Sequence, residues 1–208
     1  MVTQEQSDSF AAYIWFTGTY IITALLCGYI SPRKAVHISK VAKVLLRNFS
    51  ILLAISLVVP FLPITQWKLG PVASILLSAV VVEFWFYYSH RIMHWKWIYR
   101  RFHKQHHEFI EPYGWTGIYC SVPELLFVNQ LAVSMGPILF GMTGWSLRLW
   151  FLTVAFFTVV SHSGLTIPYL SDGSHDIHHL KWRYNYGIFK VLDRVHGTYW
   201  APSLVMRR

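Results

Sequence analysis

Histidine is concentrated in three short clusters of this 208-residue sequence. HRIMH at 90–94 places two imidazoles four residues apart, and HKQHH at 103–107 and HDIHH at 175–179 each place three, at offsets of zero, three and four. Side chains three and four apart share one face of an α-helix, so each cluster predicts several imidazoles on one helical turn. Neutral imidazole is a metal ligand, and the spacing therefore favours metal binding over solvated surface histidines. The candidate ligands in the clusters are His90, His94, His103, His106, His107, His175, His178 and His179.

The number of imidazoles predicts more than one metal ion, because a single ion takes roughly three to six ligands. His162 is a ninth candidate; it stands alone at the end of an apolar run, where a hydrogen-bonded helix-end histidine is the alternative. Imidazole accepts zinc, copper, nickel or iron, so the ligand type does not identify the metal. There are more candidate histidines than the three or four protein ligands that a zinc site needs, and this surplus favours a dinuclear redox site.

Acidic residues near the clusters are candidates for orienting the imidazoles without binding the metal. Glu83 lies inside an apolar run, two helical turns before His90, and a hydrogen bond to a liganding imidazole would explain a carboxylate there. A protonated or interface-exposed side chain is the alternative for Glu83, and both interpretations apply equally to Glu124, which follows Pro123. Asp176, inside the third cluster, is a further orienting candidate.

Five apolar runs must position these residues, and they predict an all-α, polytopic membrane protein. Charged residues make up 13% of the sequence, against roughly 25% in soluble domains. We expect four or five spans, since prolines interrupt the second and fourth runs and the last two runs could form a shallow hairpin. The interrupting residues are Pro60 and Pro63 in the second run, and Gly136 and Pro137 in the fourth. The runs cover about 11–30, 50–66, 72–89, 122–141 and 146–162.

The distribution of basic residues predicts the orientation of the chain in the membrane. If all five runs span, every one of the 18 Lys and Arg residues except Lys68 and Arg148 falls on one side. By the positive-inside tendency this side is cytosolic, and all three histidine clusters lie on it. The same asymmetry accounts for the net charge of +9 without a nucleic-acid partner, because no separate basic stripe exists.

The segment before the second apolar run has the pattern of an amphipathic helix lying on the membrane surface. In SPRKAVHISKVAKVLLRN, residues 31–48, apolar side chains are set against basic ones at helical spacing. His37 in this segment is expected to be solvated. The N-terminus carries acidic residues but no basic residue before the first apolar run, so we expect the first span to be retained rather than cleaved.

These motifs resemble those of the fatty acid hydroxylase superfamily of membrane di-iron enzymes, most closely the 4-methylsterol oxidases within it. The resemblance covers about residues 75–200, and we expect one membrane-embedded domain over 1–208 that contains this histidine region. HKQHHEFIEPYG, which begins at His103, resembles the sterol oxidase branch in particular. The motifs that carry the resemblance are HRIMH, HKQHH, HSG at 162–164, HDIHH, PELL at 123–126, NYG at 185–187 and DRVHGT at 193–198.

The resemblance implies an endoplasmic reticulum enzyme with two non-haem iron ions, which uses dioxygen to oxidise a C–H bond of a lipid or sterol. It implies that the nine histidines are the iron ligands, and that the electrons come from a cytochrome-b5-type protein and its reductase. We expect that donor to be a separate protein, because the sequence has no HPGG haem-binding signature. Asn185 and His196 fall in matching motifs and are further orienting candidates, although His196 stands where the family motif usually has an apolar residue.

Other functions remain open at the level of sequence. Within the superfamily, a fatty acid hydroxylase or a sterol desaturase would need the same iron centre. Outside it, the alternatives are a non-catalytic, histidine-rich metal-binding protein, an inert lipid-binding relative and a zinc hydrolase. A metal carrier would place ionisable residues along several spans, whereas here the carboxylate inside a span is chiefly Glu83.

Overall fold

Five long apolar helices form the body of the protein in the computed structural model, which describes residues 3–61, 67, 69–168 and 170–201. Each is long and apolar enough to cross a membrane. Within these residues no β-strand forms, so the all-α prediction is confirmed. The long helices are α1 (Gln4–Ile30), α2 (Ile38–Val58), α3 (Pro71–Met93), α4 (Val122–Leu139) and α5 (Gly144–His162), and two short ones follow, α6 (Ser174–Lys181) and α7 (Val191–Val195).

The predicted surface helix before the second span is not a separate element. Residues 38–58 form the single continuous helix α2, because no proline or glycine separates the amphipathic segment from the apolar run. One face of α2 buries Val41, Leu45 and Leu52. The helix ends at Val58, two residues before Pro60, which lacks the N–H that would continue it. Pro63 lies outside the described residues.

The expected interruption of the fourth run at Gly136 and Pro137 does not occur, and α4 continues to Leu139. Proline removes one N–H from the helix ladder and leaves the carbonyl four residues earlier unpaired. Here the indole N–H of Trp150, on α5, donates to that carbonyl of Val133 at 2.8 Å. Tertiary packing therefore supplies the hydrogen bond that proline cannot make.

The helices pack into two apolar clusters below the histidines. One joins α1, α2 and α5 around Tyr20 and Val159, and the other joins α3, α4 and α5 around Val82 and Trp150. At the opposite end from the histidines, Asp8 accepts from Arg148 at 3.1 Å, so the start of α1 is tied to the start of α5. The C-terminal ends of α3 and α5 both lie at the histidine end of the bundle, and they carry His90 and His162.

Candidate metal centre

All nine predicted histidines converge at one end of the helix bundle. Helix α3 supplies His90, His94 caps its C-terminal end, and α5 ends with His162. The chain between α3 and α4 runs through a π-helical turn, Tyr99–His103, and a 3-10 turn, His106–Glu108. Helix α6 supplies the remaining three. Seven of the nine side chains are buried and two are partly buried, His94 and His175.

Five of the imidazoles form one group through their Nε2 atoms. His103 is central, since its Nε2 lies 3.2 Å from that of His90, 3.0 Å from that of His94 and 3.0 Å from that of His107. His178 Nε2 closes the group at 3.1 Å from His94 and 3.2 Å from His107. The five nitrogens all lie within 4.8 Å of one another. We call this set the five-histidine group.

The other four imidazoles form a second group beside the first. His162 Nε2 lies 3.4 Å from His106 Nε2 and 2.9 Å from His175 Nε2, and His179 Nε2 lies 3.2 Å from His175 Nε2. These nitrogens also lie within 4.8 Å of one another. The groups adjoin, because the ring centroids of His107 and His179 are 4.6 Å apart. We call this set the four-histidine group.

Each three-histidine cluster of the sequence is divided between the two groups. The i, i+4 pair His103 and His107 points into the five-histidine group, whereas His106 points into the four-histidine group. On α6 the division is reversed, with the pair His175 and His179 in the four-histidine group and His178 in the other. The prediction that each cluster presents three imidazoles on one face is therefore wrong. On α6, residues three apart diverge enough to face different neighbours. HKQHH is not one helical turn, because His103 ends a π-helical turn and His106 begins a 3-10 turn.

Backbone carbonyls determine the orientation of four imidazoles. A carbonyl only accepts hydrogen bonds, so the Nδ1 that faces it carries the proton and the Nε2 of the same ring is left with a bare lone pair. In all four rings that lone pair points into the five-histidine group or the four-histidine group. The pairs are His90 with Tyr186 at 2.9 Å, His178 with Tyr184 at 2.7 Å, His179 with Phe109 at 3.0 Å and His162 with Thr158 at 2.7 Å.

The donor set fits bound metal ions. His175 Nε2 faces the bare nitrogens of both His162 and His179, and one N–H cannot satisfy two acceptors. A cation between the rings satisfies all of them at once. Metal–nitrogen bonds of about 2.0–2.1 Å would separate neighbouring ligand atoms by about 3.0–3.4 Å, which agrees with the 2.9–3.4 Å found between adjacent Nε2 atoms.

Burial keeps the imidazoles in the neutral form that binds metal. It lowers the pKa of His94 to about 3. Burial, and after it the other imidazoles, also lowers the pKa values of His103, His106, His175, His178 and His179 well below the ordinary value for histidine. At neutral pH these rings are uncharged, and no proton has to be displaced from them before a metal binds.

Glu124 is the carboxylate that touches a histidine of the centre. Its Oε1 lies 2.9 Å from His103 Nδ1, and both side chains are almost completely buried. Both residues lie at the junctions of π-helical turns, since His103 ends Tyr99–His103 and Glu124 precedes Leu125–Gln130. Such turns are frequent at functional sites. A carboxyl group that accepts a hydrogen bond from the outer nitrogen of a ligand would fix its tautomer and raise its basicity, and Glu124 lies close enough to His103 for this role.

Glu83 performs a different task from the one predicted. Its carboxylate accepts from the backbone N–H groups of Ile188, Phe189 and Leu192 at 2.8–3.1 Å, so the expected hydrogen bond to an imidazole is wrong. Glu83 therefore acts on the histidines indirectly, through a loop. It holds the loop before α7, and the same loop contains the Tyr186 carbonyl that orients His90.

A buried carboxylate anchors the other side of this loop. Asp193 accepts from the N–H groups of Tyr186 and Gly187 and from the Thr198 hydroxyl, at 2.7–2.9 Å. Asn185 has a positive φ of 59° and binds the backbone of Ser174 and Trp200, so its contacts join α6 to the end of the described chain. The Asn185 contacts are with backbone rather than with imidazoles.

Two other orienting candidates lie away from the imidazole rings of the centre. His196 is exposed, stacks on Tyr87 with ring centroids 5.2 Å apart and hydrogen-bonds to the Tyr88 hydroxyl at 2.9 Å. Asp176 pairs with Arg33 at 2.8 Å. Arg33 belongs to the link between α1 and α2, and the sequence patterns did not indicate it.

Arg33 ties that link to the four-histidine group. Its Nη1 donates to Asp176 on α6 and to the Pro112 carbonyl, both at 2.8 Å. Gly164, two residues after His162, has a φ of +75°, and a Cβ there would lie 2.4 Å from the Arg33 Nε. The glycine of the HSG motif is therefore required both by its backbone conformation and by the guanidinium packed against it.

We expect Arg33→Ala to lower the stability of the protein by about 1–3 kcal/mol, because it leaves the half-buried Asp176 without its charged partner. The midpoint of thermal unfolding in detergent measures this effect. Lys34→Ala removes an adjacent, exposed cation and serves as the matched control. Equal midpoints for the two variants would show that the Arg33 contacts contribute nothing.

Comparison with known proteins identifies the family of this chain. The sequence model of the fatty acid hydroxylase family matches residues 75–198, more than half of the chain. Fatty acid hydroxylase domain-containing protein 2 from Homo sapiens is 38% identical over 138 residues, which are 66% of this chain and 40% of that relative. The chain therefore matches less than half the length of this relative.

Two plant relatives are similarly close. Methylsterol monooxygenase 2-2 from Arabidopsis thaliana is 36% identical over 126 residues, which are 56% of this chain and 47% of that protein. Very-long-chain aldehyde decarbonylase GL1-11 from Oryza sativa subsp. japonica is 37% identical over 127 residues, 57% of this chain and 47% of that protein. No solved structure gives a significant match. With the family match over most of the histidine-bearing region, these similarities show that the chain belongs to the fatty acid hydroxylase family.

Proposed function

We propose that this protein is a membrane non-haem di-iron oxygenase that oxidises a C–H bond of a lipid with dioxygen. The observation that carries the proposal is the pair of adjoining histidine groups, in each of which the ligand atoms lie within 4.8 Å of one another and two rings present a bare Nε2. Two groups of five and four ligands match two ions better than one. All nine histidines are the proposed ligands.

The residues of the chain position and shield the centre rather than break the C–H bond. Iron held by the two groups would supply the redox chemistry with dioxygen that no side chain can perform. The carbonyls of Phe109, Thr158, Tyr184 and Tyr186 hold ligand rings with their lone pairs inward. The carboxyl group of Glu124 faces Nδ1 of His103, the nitrogen that points away from the metal centre. The apolar helices give a lipid access from within the membrane plane.

We propose a 4-methylsterol-like sterol as the substrate. Similarity to a methylsterol monooxygenase supports this choice. A fatty acyl chain, oxidised by hydroxylation or by desaturation, is the second candidate, and the family's own description favours it. The two substrates need the same metal ligands and differ in where the reacting carbon lies.

The remaining features of the proposal concern the setting of the enzyme. We propose a single domain over residues 1–208, embedded in the endoplasmic reticulum membrane with the histidine groups facing the cytosol. The excess of basic residues at the histidine end supports that orientation. A separate cytochrome-b5-type protein and its reductase would supply the electrons.

The full chain purified in mild detergent should contain close to two irons and should convert a lipid only when dioxygen and a reductant are present. A panel of 4-methylsterols and fatty acids, assayed aerobically and anaerobically with dithionite, tests both points together with metal analysis. Removing iron with a chelator should abolish conversion, and adding ferrous iron back should restore it. Conversion that persists without dioxygen would favour a zinc hydrolase. Bound metal without any conversion would favour the non-catalytic metal-binding protein.

A further inference from the structure

A cleft of about 620 Å³ opens at the surface beside the five-histidine group. Among the described residues, its lining contains one of the proposed ligands, His94, together with five cations and four aromatic rings, and no acidic residue. The cations are Arg91, Lys96, Arg100, Lys104 and Arg183, and the aromatic residues are Trp95, Tyr99, Trp182 and Tyr186.

The cations of this cleft have no acidic partner among the residues that the structure describes. All five are exposed, and within the described part of the chain no carboxylate lies within 4.0 Å of any of them. Like charges gathered in a cleft repel one another and create a strong positive field, which attracts an anionic surface and speeds its association. The cleft is therefore suited to bind a negatively charged surface from outside the protein.

Trp182 connects the cleft to the histidines. It has a φ of +63°, a conformation that bulky residues rarely adopt. Hydrogen bonds from its backbone to the His178 carbonyl and from its indole to the His179 carbonyl, both 2.8 Å long, hold it there. Its ring centroid lies 5.0 Å from that of Tyr99 and 6.0 Å from that of His107. Strain of this kind is concentrated at functional sites.

Tyr99 completes the connection. Its ring lines the cleft and lies 5.8 Å from that of His94 and 5.9 Å from that of His107, so one aromatic side chain connects the cleft to two members of the five-histidine group. Anionic lipid headgroups would account for the cations of the cleft. They would not account for a strained tryptophan that bridges the surface and a ligand ring.

We propose that this cleft docks the acidic face of a one-electron carrier protein, and that Trp182 and Tyr99 lie between the carrier and the five-histidine group. The inference rests on the proposed oxygenase function, for which it identifies the face that receives electrons. At each encounter the carrier is oxidised by one electron and the metal centre is reduced by one. Two such transfers and two protons accompany each dioxygen, of which one oxygen atom enters the product and the other leaves as water.

Charge reversal in the cleft tests the docking directly. The iron-loaded full chain is placed in phosphatidylcholine nanodiscs, and the probe carrier is the soluble haem domain of a cytochrome b5. We expect Lys96→Glu/Arg100→Glu to raise the Kd for this probe at least about tenfold and to weaken its dependence on salt. The matched control is Lys34→Glu/Lys43→Glu, which changes the net charge equally at exposed positions outside the cleft and should change the Kd by less than about threefold.

Three results would overturn the proposal. An unchanged Kd for the cleft variant would place the carrier elsewhere, and equal losses in both variants would show only an effect of net charge. If the cleft variant no longer copurifies with phosphatidylglycerol but its Kd for the carrier is unchanged, the cleft is an anionic lipid site instead. The wild-type protein is assayed separately with dithionite, so an inactive protein that still binds the probe would count against the oxygenase function and not against the docking face.

The aromatic connection is tested by the rate of haem oxidation at saturating carrier, where affinity no longer matters. Trp182→Leu should lose most of this rate, and Trp182→Phe, which keeps a ring, should retain most of it. Metal content is measured in both variants to show that the histidine groups are intact. Equal rates in the leucine and phenylalanine variants would remove Trp182 from the proposed route.

Discussion

Alanine in place of His106 or His107 is expected to reduce dioxygen-dependent turnover by at least about 100-fold, since loss of a ligand should exceed the 10–100-fold effect typical of losing a ligand's partner. The two residues are neighbours in the chain, but their Nε2 atoms belong to different groups. Each substitution should therefore deplete a different metal ion. Metal analysis combined with a spectroscopic signature of each iron distinguishes the two losses.

A histidine outside both groups provides the control for this experiment. His37 is exposed and has a positive φ of 50°, so His37→Asn keeps a residue that tolerates this conformation. We expect its turnover and metal content to match those of the wild type. Elution of each variant as a single species in detergent shows that the fold is retained. Undiminished turnover in a folded His106→Ala or His107→Ala protein would exclude that residue from the ligands.

The second large effect is expected at Glu124. Glu124→Gln keeps the shape of the side chain but replaces the carboxyl group that faces His103 Nδ1 with an amide. We expect metal affinity and turnover to fall about 10–100-fold, the range found when the outer partner of a metal ligand is removed. The fall should appear as weaker retention of one metal during titration with a chelator.

A role in packing alone would give a different result at Glu124. Glutamine has nearly the same volume, so a packing role predicts that Glu124→Gln retains full metal affinity. The matched control is Glu111→Gln, which neutralises an exposed carboxylate in the loop that follows the second histidine cluster. If Glu124→Gln and Glu111→Gln behave alike, the carboxyl group of Glu124 does not contribute to the centre.

The differences between sequence and structure have particular causes. Helix α4 passes through Pro137 because a tryptophan on another helix satisfies the Val133 carbonyl. Glu83 binds loop amides and Asp176 binds Arg33, although Glu83 lies two helical turns before His90 and Asp176 lies inside the third histidine cluster. Each outcome depends on a partner more than ten residues away, and periodicity along one helix contains no information about such partners.

The amino-acid sequence alone determined the helical class, the apolar helices and the set of nine histidines that gather at one end of the bundle. These features are local: apolar runs of spanning length form helices, and histidines at i, i+3 and i+4 next to the ends of those runs must emerge at the same end. Tertiary structure alone decided how the histidines divide into groups of five and four, which carbonyls turn their lone pairs inward, and that Glu124 and Arg33 take part. Those choices depend on which helices and loops face one another after packing. Two rings three residues apart on a helix point in different directions, and the packed fold decides which histidine group each ring joins.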